Sequence, residues 1–399
     1  MTPAPQTKPR PGSARIARLQ AELRRHGIDA MICMKPENSF YLSGFNPIIY
    51  SHPVVAILPA EGEPAVLIHA LRDDHARASA WVRDIRLFGA WSTKQTMGPN
   101  WLAALEEILR ERGVLAGVIG VEEEFLSIAR MRQFEKQFPK ARFADVSAIV
   151  EHARYVKEPS EIADTRIAAK LADRGMAVAI ETLRSGASER DISLAAMAAM
   201  NRMWADEFPD IEVCDFASLE GGYHNGLACW SLVGDRVAIN TDNPTARKPK
   251  RGEIVLTLIW AVANGMHAEN ERAVAFGPLD EEKRRAYDAV LTIRSRVQDL
   301  LRPGAACKDI FLAAKQHYID LGYARNVPGR IGHGIGVGAH EHLSIDANSD
   351  VILEPGMIMS FEPNLRIPPW GGLQHSDTVL ITDTGYEFLT TTERGYLQV

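Results

Sequence analysis

The stretch GEIVLTLIWAVANGMHAENERAVAF, residues 252–276, joins two apolar runs through a polar segment. The runs EIVLTLIW and AVAF are rich in branched residues, which favours β-strands. If MHAENERA continues a strand, Glu269 and Glu271 lie on one face, because side chains alternate with a period of two. Such a pair of carboxylates fits an active site or a solvated strand edge, and both interpretations stay open.

The rest of the second half predicts a helix-covered sheet. A long amphipathic pattern starts at Pro159, a residue suited to the first turn of a helix, and two more helical patterns cover residues 280–301 and 307–322. Strand-like runs follow in MIMSFEP (357–363) and TVLIT (378–382). We therefore predict an α+β domain whose sheet is mainly antiparallel.

The first half has a different organisation. Residues 13–27 carry apolar residues at helical spacing and end in Gly27, which predicts an opening helix. Short apolar strands then alternate with helical segments, which is typical of an α/β layer. The predicted organisation is a tail at residues 1–12, an α/β domain at 13–152 and a catalytic domain at 153–399.

Composition excludes several classes of function. The chain has 399 residues with a net charge of -6, and it lacks a basic stripe with interleaved aromatic residues, which argues against nucleic acid as a partner. No apolar run has the length of a membrane span or a signal-peptide core, so we expect a cytoplasmic, soluble protein with no membrane contact. The cysteines have no CxxC spacing and predict buried thiols: Cys33, Cys214, Cys229 and Cys307.

Four polar clusters in the second half could carry chemistry, and a fifth, LQHSDTVLIT (373–382), is typical of a strand edge. They are GGYHNG (221–226), GMHAENER (265–272), GHGIGVGAHEH (332–342) and MSFEPN (359–364). His224 alone could be a loop donor. His333 lies between glycines that permit close backbone approach, so its ring can face a ligand. Glu362 ends an apolar strand, where a buried carboxylate needs a partner. If the clusters converge, they suit hydrolysis of a small molecule.

In order and spacing, these segments resemble the pita-bread fold of methionine aminopeptidase, Xaa-Pro peptidases and creatinase. The resemblance spans RYVKEPSEI, GASERDI, the hairpin at 252–274, RPGAACKDI, GHGIGVGAHE, LEPGMIMSFEP and HSDTVLIT. It implies a creatinase-like N-terminal α/β domain followed by a pita-bread catalytic domain. It also implies a homodimer in which each N-terminal domain completes the active site of the neighbouring subunit.

The peptidases of this fold bind two divalent metals through five residues. The resemblance carries those positions onto Leu258, Glu269, His333, Glu362 and Ser376. Leu258 offers no lone pair, and Ser376 is a poor substitute for a bridging carboxylate. We therefore predict neither a metal nor another cofactor, while one ion held by Glu269, His333 and Glu362 stays open as an alternative.

Creatinase, the metal-free relative, offers a better match. The resemblance of this chain to creatinase implies that His224 is the general acid/base and that Glu271 and Glu362 bind a cationic nitrogen group. His333 completes the predicted catalytic set, and His340 would orient the substrate. Glu269, a third carboxylate, would bind substrate or act as a nucleophile, and His267 of the same cluster is a further predicted substrate contact.

The resemblance to creatinase does not extend to the residues that bind the substrate's carboxylate. Where creatinase holds the creatine carboxylate with two arginines, this chain has Tyr50, His52 and Ser344. These predict a less anionic substrate, and ectoine hydrolases, which open a cyclic amidine, are a close comparison. The predicted function is metal-independent hydrolysis of a C–N bond in a small nitrogen-rich molecule. The alternatives are a metal-dependent Xaa-Pro dipeptidase, aminopeptidase or lyase of the same fold, and a non-catalytic peptide-binding protein.

Overall fold

The computed structural model describes residues 13–216, 225–239, 242–368 and 370–399. Within these residues the chain forms two compact units. The first extends to Arg154 and includes residues 215 and 216, and the second holds the remainder. The boundary predicted between residues 152 and 153 falls in the last turn of a helix, Ser147–Ala153.

The first unit is built on a sheet with the strand order β4-β3-β2-β1-β5-β6. Its strands are β1 (Ala30–Cys33), β2 (Val55–Pro59), β3 (Ala65–His69), β4 (Asp84–Phe88), β5 (Val118–Val121) and β6 (Arg142–Asp145). Strand β2 is antiparallel to its two neighbours, and the other pairs are parallel. The helices are α1 (Ser13–Arg25), α2 (Pro36–Ser43), α3 (Asp73–Ser79), α4 (Trp101–Glu111), α5 (Ile128–Gln137) and α6 (Ser147–Ala153).

Helix α4 illustrates why these residues fold in this way. The side chain of Asn100 accepts hydrogen bonds from the first backbone N–H groups of the helix, which caps its N-terminus. Leu105, Ile108 and Leu109 form the apolar face and are fully buried against Ile32 and Val121 of the sheet. Mixed strands covered by amphipathic helices confirm the predicted α/β layer.

The second unit contains a larger sheet with the order β11-β10-β12-β15-β9-β8-β7, and β16 pairs with β15. The strands are β7 (Ala228–Val233), β8 (Glu253–Ala263), β9 (Met266–Phe276), β10 (Arg330–Gly334), β11 (Glu341–Asp346), β12 (Ile358–Phe361), β13 (Asn364–Ile367), β14 (Gly371–Gln374), β15 (Ser376–Ile381) and β16 (Tyr386–Phe388). All pairs in the large sheet are antiparallel, and β13 and β14 form a separate antiparallel pair. The predicted α+β architecture is confirmed.

Two pairs of helices pack against this unit. They are α7 (Pro159–Arg184), α8 (Glu189–Glu207), α9 (Glu281–Val297) and α10 (Cys307–Asp320). Val255, Ile259 and Ala261 of β8 pack against α7 and α8. Leu258 and Trp260 alternate with them and therefore point to the opposite face of the sheet. This opposite face of β8 and β9 forms the candidate site.

A two-residue turn fixes the register of the β8–β9 hairpin. Asn264 and Gly265 both have positive φ values, 48° and 83°, and they connect Ala263 directly to its partner Met266. Asn-Gly is the preferred pair for this type of hairpin turn, since both residues tolerate the left-handed conformation. The turn therefore determines which side chains of the two strands face each other.

In the described ranges, no helix combines the length and the apolar character that crossing a membrane requires. The four cysteines form no disulfide in the described part of the chain; Cys33, Cys229 and Cys307 are buried, whereas Cys214 is only half-buried, so the prediction of a buried thiol is wrong there. Buried thiols were predicted from their spacing.

Candidate active site

The hairpin register brings two carboxylates and a serine together. Glu269 lies opposite Trp260, and Glu271 lies opposite Leu258 on one side and Ser376 of β15 on the other. Both glutamates point to the same face, as the period of two predicts, and both are buried, with exposures of 1% and 3%. The segment is therefore the inner part of a site and not a solvated strand edge.

Glu269 is held by neutral donors on both carboxylate oxygens. The indole N–H of Trp260 donates to Oε2 at 2.7 Å, and the hydroxyl of Ser376 donates to Oε1. The Glu269 backbone is fixed as well, because its N–H donates to Oγ1 of Thr378 at 2.8 Å. Nε2 of His333 lies 3.4 Å from Oε2. This carboxylate has a complete set of protein partners.

Glu271 and Glu362 share one amide. Nε2 of Gln374 donates to Oε2 of Glu271 at 2.5 Å and lies 3.4 Å from Oε2 of Glu362. Glu362, 8% exposed, also has Nε2 of His333 at 3.7 Å and Nε of Arg330 at 3.6 Å from Oε1. Gln374 therefore bridges two carboxylates, and His333 and Arg330 approach Glu362 from other directions.

The two histidines of the GHGIGVGAHEH segment stack on each other. The rings of His333 and His340 have centroids 4.2 Å apart, and the ring of Trp260 lies edge-on to His340 at 5.1 Å. His333 is fully buried, and a Cβ at Gly332 would collide with the carbonyl oxygen of Ser360. The neighbouring glycine thus serves packing between strands, and His333 lies behind Glu269 and Glu362 instead of facing a ligand directly.

These contacts give the three glutamates different pKa values. Burial would raise the pKa of Glu269, but the charge and hydrogen bond of His333, with the Ser376 and Trp260 donors, lower it to about 2. Burial raises the pKa of Glu271 well above its usual value, and the neighbouring carboxylates add to the rise. Burial and the charge of Glu269 raise the pKa of Glu362 to about 7.

The two histidines of the site, His333 and His340, also differ in pKa. Burial lowers the pKa of His333, but the hydrogen bond and charge of Glu269 outweigh this effect, so that the pKa is raised. Burial and the positive charge of His333 lower the pKa of His340 to about 4. At neutral pH the site therefore contains an ionised Glu269 paired with His333, a neutral His340 and a Glu362 near its midpoint.

A cavity of about 710 Å³ opens onto this arrangement. The lining side chains of the sheet include both tryptophans Trp230 and Trp260, whose ring centroids are 5.0 Å apart. The lining also contains Leu258, Glu269, Glu271, His340, Ser344, Glu362, Gln374, Asn364, Asp346, Arg330, Arg325, Arg366 and the segment 326–329. A volume of this size admits a small molecule or a short peptide.

The residues do not fit a two-metal centre. Leu258 is 4% exposed and has no ligand atom, and the Ser376 hydroxyl is directed at Glu269 as a donor. Two smaller groups of the described residues have ligand atoms within 4.8 Å of one another: Glu269, His333 and His340, and Glu269, Glu271 and Glu362. Either group could hold a single ion by position, although Glu269 already has two donors and the ring of His333 beside it.

Other predicted residues have different locations. His224 lies outside the described residues. His267 is buried, with Nδ1 2.9 Å from the carbonyl oxygen of Gly336, and does not line the cavity. In the first unit, Tyr50 packs beside an apolar cluster, and the ring of His52 stacks on that of His69 at 4.1 Å. Ser344 faces His333 across the β10–β11 pair.

Three important residues were not predicted. Trp260, Gln374 and Arg330 contact the carboxylates, as described above. Trp260 could have been found, since the Asn-Gly turn sets Trp260 opposite Glu269. Gln374 and Arg330 reach the site through tertiary packing and carry no local signal.

Together, a mixed N-terminal sheet, an antiparallel C-terminal sheet covered by helices, and a buried carboxylate–histidine cluster define a two-domain protein whose second unit contains the candidate active site. Residues 163–383 match the model of the metallopeptidase family M24, and residues 15–156 match the creatinase/prolidase N-terminal domain. The chain belongs to the metallopeptidase family M24 and has the pita-bread fold.

Relatives of known name support this assignment. A Staphylococcus haemolyticus protein named an uncharacterized peptidase is 26% identical over 377 residues, covering 94% of this chain and 99% of its own. The Xaa-Pro dipeptidase of Bacillus anthracis superposes with a TM-score of 0.81 at 21% identity, covering 97% and 99%. The prolidase of Pyrococcus furiosus gives a TM-score of 0.76 at 24% identity, covering 94% and 99%. The two structural comparisons show the shared fold.

Proposed function

We propose that the protein hydrolyses a C–N bond in a small, cationic, nitrogen-rich molecule without a metal ion. The observation that carries the proposal is that Ser376 donates a hydrogen bond to Glu269, although the resemblance predicts metal ligands at both positions, and that Trp260 donates to the other carboxylate oxygen of Glu269. Neutral donors are sufficient to stabilise one ionised carboxylate, here that of Glu269. A dinuclear metal centre needs further anionic ligands, and Leu258 and Ser376 do not provide them.

The cavity is suited to a cation. Three buried carboxylates, those of Glu269, Glu271 and Glu362, line it, and burial raises the pKa of Glu271 and Glu362. An amidinium or guanidinium group would favour their ionised forms, because its planar N–H groups would donate charge-assisted hydrogen bonds to the carboxylate oxygens. Binding would therefore release protons, a property that calorimetry in buffers of different ionisation enthalpy detects directly.

The proposed reaction adds water to the central carbon of the amidine. A proton of that water moves to the departing nitrogen, the C–N bond breaks, and a carbonyl compound and an amine result. His224 is proposed as the general acid/base that moves this proton.

Glu269 and the imidazole groups would act around this step. The ionised Glu269 would stabilise positive charge at the reacting centre, and His333 would hold that carboxylate in place. His340, which lines the cavity, would orient the substrate. Tyr50, His52 and His267 remain predicted contacts, and so does the homodimer in which a neighbouring N-terminal domain completes the site.

A metal-dependent Xaa-Pro dipeptidase is the second candidate. The names of the relatives favour it over the metal-free reaction, since these are peptidases and prolidases. The two groups of Glu and His side chains within 4.8 Å add a position for one ion. The metal-free proposal depends instead on the chemistry of Leu258 and Ser376. A non-catalytic peptide-binding role, the third alternative, has no separate observation in its favour.

Metal content and substrate screening on the full chain separate the candidates. The purified protein is dialysed against EDTA, analysed for metals, and then assayed with creatine, ectoine, hydantoin and Xaa-Pro dipeptides, with and without added Mn²⁺ or Zn²⁺. Turnover of a non-peptide C–N substrate by metal-free protein, lost in His224→Ala, supports the proposal. Dipeptide turnover that requires added metal overturns it.

A further inference from the structure

The side chains that face the cavity from the large sheet form two chemically different halves. Trp230 of β7 lies opposite Leu258 of β8, and Leu258 in turn lies opposite Glu271 of β9. Two residues further along β8, Trp260 lies opposite Glu269 of β9. Strands β7 and β8 therefore contribute apolar side chains to the cavity, whereas β9 contributes carboxylates. We call Trp230, Leu258 and Trp260 the apolar half of the site, and Glu269, Glu271 and Glu362 the acidic half.

The apolar half has its own packing support. Leu258 is buried and packs in a cluster with Leu232 and Leu256. Trp230 packs against the same cluster and is half-buried, and Trp260 is half-buried as well. Both indoles line the cavity. The surface that the apolar half offers to a bound molecule is therefore mainly aromatic.

The two indoles form a corner. Their ring centroids are 5.0 Å apart, and the ring planes are inclined at 81° to each other. A flat ring placed in such a corner stacks on one indole and meets the other edge-on, and both are favourable arrangements of aromatic rings. An aliphatic group would gain from the burial of its apolar surface in the same place, but it would make no ring contacts.

The two halves are one strand apart. Neighbouring strands of a sheet are separated by about 4.8 Å, so a group that lies over β8 must be bonded directly, or nearly directly, to a cation that contacts the carboxylates of β9. A ring joined to an amidinium or guanidinium carbon meets this condition in one rigid molecule. Such a molecule loses little conformational freedom when it binds.

We propose that the substrate is an aryl or heteroaryl amidine or guanidine, whose ring binds the apolar half while its cationic nitrogen group binds the acidic half. This inference rests on the proposed function, which assigns the cation to Glu271 and Glu362, and it adds the chemical nature of the group beside that cation. Leu258 then has a role of its own, because it forms part of the ring's binding surface at a position where the resemblance predicts a metal ligand.

Trp230 is the position at which the ring contact can be tested separately. Trp260 also donates to Glu269, so its replacement would change the carboxylate and the ring contact together. Trp230 lies on β7, one strand further from the carboxylates of β9. The variants are Trp230→Leu, Trp230→Phe and, as a matched control, Trp370→Leu. Trp370 is half-buried in the same unit and does not line the cavity.

The test compares four small probes by calorimetry on the full-length protein. Acetamidine carries the cation alone, and benzamidine adds a flat ring to it. Cyclohexanecarboxamidine replaces that ring by an aliphatic one of similar size. Benzamide keeps the flat ring but has a neutral amide in place of the cation. The comparison of these probes on the wild-type protein does not depend on the folding of any variant.

We expect benzamidine to bind about 10- to 100-fold more tightly than acetamidine, the range for burial of one aromatic ring. Cyclohexanecarboxamidine should fall between the two. In Trp230→Leu the ratio of benzamidine to acetamidine affinity should drop at least about threefold, because one ring contact is lost. Acetamidine should bind this variant as it binds the wild type. Trp230→Phe should keep most of the ratio, and Trp370→Leu should keep all of it.

The outcomes separate the inference from the proposed function. If acetamidine binds as tightly as benzamidine, if cyclohexanecarboxamidine equals benzamidine, or if Trp230→Leu keeps the wild-type ratio, the ring assignment is wrong while cation binding stands. If benzamide binds as tightly as benzamidine, the acidic half does not select a cation and the proposed function fails. The change in benzamide affinity on Trp230→Leu then decides the ring contact. If no probe binds, both fail.

Discussion

The indole N–H of Trp260 donates to Oε2 of Glu269 at 2.7 Å across the β8–β9 hairpin. Ser376 donates to the other oxygen of the same carboxylate. Both donors are neutral, so they lower the energy of the ionised glutamate without adding a charge to the cavity. The site can therefore keep a permanent anion next to a substrate cation.

Replacement of Trp260 by Phe should impair this anion. We expect kcat to fall by about 10- to 100-fold, the range for loss of a hydrogen bond to a charged group. The pKa of Glu269 should rise from about 2, because one of the donors that lower it is gone, and activity should be lost at a higher pH on the acid side. The check is a pH–rate profile.

Trp204→Phe is the matched control, because its indole N–H donates to a backbone carbonyl, that of Ile211, away from the cavity. This variant should keep the wild-type pH–rate profile. A Trp260→Phe profile that coincides with the wild type would show that the hydrogen bond has no part in catalysis.

A metal centre should be recoverable by restoring the two missing carboxylates. The double variant Leu258→Asp with Ser376→Glu supplies all five ligand types that the resemblance predicts, together with Glu269, His333 and Glu362. We expect it to retain Mn²⁺ or Zn²⁺ through dialysis, while each single variant and the wild type retain far less. Elemental analysis of the dialysed proteins measures this. Equal metal retention by wild type would contradict the metal-free proposal.

Glu362 should make stability depend on pH. Its folded-state pKa is raised to about 7, so its contribution to the free energy of unfolding is present below its ordinary pKa and is lost as pH rises through 7. Glu362→Gln mimics the protonated form and should escape this loss. Relative to wild type, the variant should gain on the order of 1 to 3 kcal/mol between pH 4 and pH 8.

Thermal or urea unfolding at a series of pH values measures the gain. Glu354→Gln, at an exposed position, is the control and should show a difference from wild type that does not change with pH. A Glu362→Gln difference that is equally constant would mean that Glu362 titrates normally in the folded protein.

Asp377 should be critical for stability. It is fully buried and pairs with Arg272 at 2.7 Å and with Arg294. Asp377→Asn leaves two buried cations without their counter-charge, which should cost about 3 to 5 kcal/mol. Asp206→Asn breaks an exposed pair with Arg202, at 3.9 Å, and should cost no more than about 0.5 kcal/mol. Urea unfolding compares the two, and similar losses would argue against the buried network.

Local patterns predicted much of the fold. The helix at Pro159, the strands of the β8–β9 hairpin and the shared face of Glu269 and Glu271 follow from periodicity and from residue chemistry. Helix α8 was not predicted, although its capping box of Ser188 and Asp191 is a local signal. Alanine and methionine dominate its sequence, so the helical periodicity is weak.

The site was predictable only in part. Residues that share a strand or a hairpin could be placed together, because pairing rules connect them. The bridge from Gln374 to Glu271 spans 103 residues along the chain, and the approach of Arg330 to Glu362 depends on how β10 packs beside β12. Such contacts are set by tertiary structure, and no spacing rule in a single sequence specifies them.

The turn at Asn264 and Gly265 has a consequence for how this protein can evolve. One residue inserted into that turn would shift the pairing by one position and rotate every β9 side chain to the other side of the sheet. Glu269 and Glu271 would then enter the layer beneath α7 and α8, and Ala268, Asn270 and Arg272 would turn towards the cavity. Loop length is usually free to drift, but here it should be as constrained as the carboxylates themselves.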